Sequence, residues 1–166
     1  MFDGAGKLPS PVALNESEYQ FVTDLKTWCN DHKSTFEKDG MDLFLLRNMS
    51  RGKGVGFFEA GNFHPDFILW VLVGSKQYIN FIEPHGLIHE GSGSDKVLFH
   101  KRIKDVEQRM NDSGIILNSF ILSWTRFPQL KWGNTQDELE DMNVLFMTND
   151  RDRYIDKLFA RLRELI

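Results

Sequence analysis

The sequence predicts an α/β domain with a central mixed β-sheet flanked by α-helices, and three observations predict it. Two apolar runs, FILWVLV at 67–73 and YINFI at 78–82, are separated by the turn-like Gly74-Ser75-Lys76-Gln77. Such a pair reads as an antiparallel hairpin, and runs apolar nearly throughout are expected at the centre of a sheet covered on both faces. Residues 16–37, 96–111 and 151–165 instead carry apolar residues at helical spacing. The chain of 166 residues, 41% hydrophobic and 27% charged, is long enough to bury one sizeable core.

The elements follow in order. Residues 1–15, with Pro9 and Pro11, read as a linker or tail, and 16–166 as a single domain. Over 16–37, Phe21, Val22, Leu25, Trp28 and Cys29 share one helix face. Asn15 is a candidate N-cap, Glu16 and Glu18 suit the first turn, and Asp39-Gly40 closes the segment. Residues 42–47 (DLFLLR) form a short strand, and 55–58 are a second strand candidate before a turn at 60–62. The hairpin comes next. A Gly/Ser-rich loop over 87–95 leads into the helix at 96–111, with Asp95 as its expected cap and Phe99, Ile103, Val106 and Met110 as its buried stripe. Residues 118–124 read as a strand and 125–132 as a loop. A helical turn is expected at 136–141, a strand at 144–148, and a last helix at 151–165 burying Ile155, Leu158, Phe159, Leu162 and Leu165.

Composition narrows the function. The formal net charge of −4 gives no global basic signature. One cysteine, Cys29, excludes an internal disulfide framework and fits a reducing, cytoplasmic compartment. On the apolar face of a helix it is expected to be an inert thiol. No apolar run reaches the roughly 18 to 20 residues that span a bilayer, so no membrane partner is expected. The spacing Gly52, Gly54, Gly56 precedes no helix and is not a phosphate-binding loop. There is no CxxC, and the His85/His89 pair falls in a Gly-containing loop, which argues against zinc.

The hairpin carries the chemistry. Asp66 opens its first strand and Glu83 closes its second, so antiparallel pairing brings both carboxylates to one end of the sheet. An Asp after Pro at a strand start is often only a turn residue, and a Glu before Pro-His-Gly is often a solvated edge. Together, separated by long apolar runs, they read as a compact pair of hard oxygen ligands.

These residues also carry a resemblance. His64-Pro65-Asp66 before an apolar strand, then Phe81-Ile82-Glu83-Pro84-His85, resembles the PD-(D/E)XK nuclease signature. More narrowly, LFLLRNMSRGKGVGFFEAGNFHPDFILW and FIEPHG are similar to the C-terminal endonuclease region of helicase-linked, type III-like restriction enzymes. The resemblance covers about residues 43–124. It implies a restriction-endonuclease-like fold and DNA phosphodiester hydrolysis. A helicase or ATPase module would act in the same polypeptide or complex, and homodimerisation is a further implied possibility. It implies Mg²⁺ or Mn²⁺ held by Asp66, Glu83 and the Pro84 carbonyl.

That chemistry suits the residues. Mg²⁺ prefers oxygen ligands and keeps several waters, so two carboxylates and a carbonyl leave room for phosphate and water. The family's third residue is usually Lys, and here His85 stands in its place. Three readings stay open: His85 acts as base or water-orienting group; His85 is a bystander and Lys96, on the flank of the next helix, fills the role; or the site is inactive and the domain only binds nucleic acid or a protein. Glu59 is an auxiliary carboxylate candidate, more simply read as a solvated loop residue. Arg47, Arg51 and Lys53 are the candidate contacts to a DNA backbone, although three basic residues on a loop are usually only solvated.

Overall fold

A computed structural model of the chain describes residues 13–49, 54–57, 63–149 and 153–164. Helix α1 spans Glu16–Asp31. It starts at Asn15, whose side chain accepts the Glu18 N–H while the Glu18 carboxylate reaches back to the Asn15 amides, a reciprocal cap. The expected single helix over 16–37 is two. At His32 the backbone leaves helical geometry, and the ring stacks on Trp28 and bonds its carbonyl. Helix α2 then runs Lys33–Asp39 and ends at Gly40, whose φ of 59° is left-handed.

Five strands follow: β1 Met41–Arg47, β2 Phe67–Val73, β3 Lys76–His85, β4 Ile115–Ser123 and β5 Val144–Phe146. Their spatial order is their sequence order, β1-β2-β3-β4-β5. The first three form an antiparallel meander, and β3, β4 and β5 run parallel. The sheet is therefore mixed, and helices flank it. The β2–β3 turn is only Gly74-Ser75, with Val73 paired to Lys76 and Gly74 at φ 59°. Lys76 and Gln77, expected in the turn, belong to β3.

The other elements are α3 Asp95–Met110, α4 Gln136–Asp141 and α5 Tyr154–Arg163. Helix α3 is capped by Ser94, not Asp95: a serine hydroxyl accepts the Val97 N–H, and Asp95 takes the first helical position, where its charge suits the helix dipole. Its stripe is Val97, Phe99 and Ile103, with Val106 packed alongside, while Met110 is exposed at the last turn. Of the strand expected at 55–58, the described part shows a single bridge, Phe57 to Phe63, and Asn48 holds the backbone at Val55. Phe58 and the turn at 60–62 lie outside the described residues, as does Leu165.

Strand alternation sorts the core. Phe67, Leu69 and Val71 of β2, Tyr78 and Ile82 of β3, and Phe120 and Leu122 of β4 face α1 and α5. There they meet Phe21, Leu25, Trp28, Leu158 and Phe159, with the Trp28 and Phe159 rings stacked at 4.0 Å. The opposite face packs Phe81 and Leu117 on Phe99 and Ile103 of α3. A third cluster joins Leu87, Val97 and Ile121 to Leu139, Val144 and Phe146.

Candidate functional site

The β2–β3 register pairs Phe67 with Ile82. Continued by one residue, it sets Asp66 opposite Glu83 on the face that α3 covers. The Asp66 N–H donates to Glu83 Oε2 at 3.2 Å. Three further bonds hold Asp66 in place. Its carbonyl accepts the Asn48 N–H from the end of β1, and the Asn48 amide donates to the carbonyls of Pro65 and Val55. Glu83 is 6% exposed. Asn48 carried no signal in the sequence beyond being a polar residue after a strand.

Burial and neighbouring carboxylates govern both acids. Burial first, then the neighbouring Glu18 carboxylate, push the Asp66 carboxyl up to about 6 against the pull of Lys96 and Arg47. Burial, then Asp66, push Glu83 up to about 7, against the pull of Lys96. The pair is a site with more negative charge than its own surroundings neutralise.

Lys96 is the cation that does arrive. From the first turn of α3 its Nζ sits 3.1 Å from Glu83 Oε1 and 3.4 Å from His85 Nε2. Burial and the Lys96 charge lower the His85 pKa, so its imidazole is neutral at pH 7. Glu90, on the loop between β3 and α3, lies 3.8 Å from His85 Nε2 and 3.9 Å from Lys96 Nζ. Glu90 was not singled out from the sequence, because nothing in a polar loop marks which acid turns inward.

Helix α1 closes the other side. The Ser17 hydroxyl donates to the Pro84 carbonyl at 3.1 Å, so that carbonyl already has one partner. Glu18, 8% exposed, is held by its cap and by Arg47 at 3.2 Å. Its place as a first-turn acid was legible, but not its proximity to Asp66. Arg47 also donates to the Ala13 carbonyl at 3.4 Å, so its guanidinium, although exposed, is engaged by α1 and the segment before it. Glu59, Arg51 and Lys53 lie outside the described residues. Cys29 packs against the α1/α5 core, and burial raises its thiol pKa, away from the reactive thiolate.

A divalent cation is implied by the resemblance alone. Among the described residues no three His, Cys, Asp or Glu side chains are gathered closely enough to hold one. Two facing carboxylates under-neutralised in a buried setting nevertheless fit an ion that takes few protein oxygens and retains waters. No described helix is long and apolar enough to cross a membrane. No protein-family model matches the chain, and comparisons with curated proteins and with solved structures return no match.

Proposed function

We propose that this chain is a divalent-cation-dependent DNA endonuclease domain of the restriction-endonuclease-like type, working with a helicase or ATPase module in a cytoplasmic phage-defence system. One observation carries the reading: Asp66 and Glu83, from adjacent central strands, face each other at one end of the sheet with a lysine on the second. The helix, meander, helix, strand order around them agrees with the signature HPD…FIEPH.

Asp66 and Glu83 would hold Mg²⁺ or Mn²⁺, which when bound supplies charge relief on the scissile phosphate and an activated water. The chain's own groups do the rest. Lys96 lies beside Glu83, in the role the family gives to the lysine two residues after the acid, and its ammonium can orient water or meet a phosphate oxygen. His85, neutral at pH 7, can accept a proton. Glu90 adds a negative charge 3.9 Å from Lys96 on the loop side. Buried walls raise the strength of each of these interactions relative to water.

The inactive alternative has its own support, since Lys96 already pairs with Glu83 and His85 stands where a lysine is usual. Plasmid nicking with Mg²⁺ or Mn²⁺ decides between them. Cleavage by the wild-type chain, reduced to background by Asp66→Ala and by Glu83→Ala, is the expected result. Cleavage that survives both substitutions ends the enzyme reading, and a wild-type chain that binds without nicking leaves the binding module.

A further inference from the structure

The loop between β4 and α4 reaches the same end of the sheet as the two acids. Parallel pairing sets Ser123 beside His85, and the Trp124 N–H donates to the His85 carbonyl at 3.0 Å. Thr125 Oγ1 accepts the Leu87 N–H at 2.8 Å, and the Ser123 hydroxyl donates to the Thr125 carbonyl. The loop is thus tied to the segment that carries His85.

Its sequence from 124 to 135, WTRFPQLKWGNT, holds two cations and no acid in a chain whose net charge is −4. The side chains are sorted. Phe127, Leu130 and Trp132 pack against the cluster that contains Leu87 and Val97, the neighbour of Lys96. Phe127 meets the Phe146 ring edge-on at 5.7 Å. A 3-10 turn over Phe127–Gln129 puts Phe127 and Leu130 on one side. Arg126 and Lys131 are left exposed. Neither makes an ion pair among the described residues. The next acids, Asp137 and Glu138, lie in α4, and Glu138 is turned back onto the Thr135 N–H.

We propose that Arg126 and Lys131 form a phosphate-binding track that carries a nucleic-acid backbone to the Asp66/Glu83 site. This rests on the nuclease reading. It replaces Arg47, whose guanidinium is held by Glu18, as the principal backbone contact. An anchored loop suits the task, because its backbone is already tied to the His85 segment and less ordering is needed on binding. The contact is to phosphate, so it sets position and affinity rather than sequence.

The test is fluorescence anisotropy of the full chain with labelled DNA duplex, single-stranded DNA and RNA duplex, in EDTA so that cleavage plays no part. The three probes separate the sources of the backbone. For whichever wild type binds, Arg126→Glu with Lys131→Glu should weaken affinity by about tenfold or more at low salt. The alanine pair should flatten the log Kd against log salt slope by about 2, one per lost contact. Lys76→Glu, at the opposite end of the sheet, should change neither. An unchanged affinity and slope in the double variant overturns the track, as does a wild type that binds none of the probes. The nuclease reading fails separately, through nicking that survives Asp66→Ala and Glu83→Ala.

Discussion

Two regions of this molecule hold paired acids, and they treat them in opposite ways. At the α1/α5 seam, Asp24 accepts from the Tyr154 hydroxyl at 2.7 Å and from the Gln20 amide at 2.6 Å. Asp156 accepts from the Trp28 indole at 2.7 Å. Each acid there has a neutral donor of its own from the facing helix. At the strand ends, Asp66 and Glu83 face each other, share a single nearby lysine and are both driven toward the protonated form. An acid with its own donors fastens two helices. Two acids without enough donors are driven toward holding protons.

Substitutions sharpen that contrast. The largest stability loss should come from the seam. Phe159→Ala removes a ring stacked on Trp28 and should cost about 3–5 kcal/mol in urea unfolding. Glu83→Gln should do the reverse above pH 7 and stabilise the fold; on the proposed function it should also end any cation-dependent cleavage. A loss of stability at pH 8 would show that the charged Glu83 is a structural partner after all. Next is Tyr154→Phe, which leaves Asp24 short of a donor and should cost about 1 kcal/mol with cleavage intact.

The smallest effect is a pH slope. A carboxyl whose folded pKa is raised binds its proton more tightly folded than unfolded, so stability falls as pH rises. The fall should begin near the ordinary carboxylate range and finish above about 7, the upper of the two raised values. Asp66→Asn with Glu83→Gln should flatten it, whereas Asp24→Asn should not. Mg²⁺ should raise Tm at pH 8 and leave it unchanged at pH 5, where the acids hold protons. Equal shifts at both pH values in a thermal melt would argue against these two acids as its ligands.

Much of this was legible in the chain. Apolar patterning identified the hairpin and the helices that became α1, α3 and α5, because burying one face of a helix or both faces of a strand leaves a local trace. The ends were less legible. The break at His32 depends on a ring stacking on Trp28, and the Ser94 cap on one choice between adjacent polar residues. Residues 66 and 83 were readable as neighbours at one end because an antiparallel hairpin brings the start of its first strand beside the end of its second.

The chain by itself pointed to a mixed α/β sheet and to two carboxylates at one end of a hairpin, since apolar runs joined by a short turn pair antiparallel; the register that sets Asp66 opposite Glu83 came with the two-residue turn Gly74-Ser75. Tertiary structure alone decided which other charges reach that pair. Lys96 arrives over Glu83 because β3 and β4 are parallel and α3 must cross between them. Glu18 arrives because α1 packs across the strand ends, and Arg47 because it closes β1 opposite Phe67. Those placements are set by how helices pack on a sheet, and no spacing along the sequence records that.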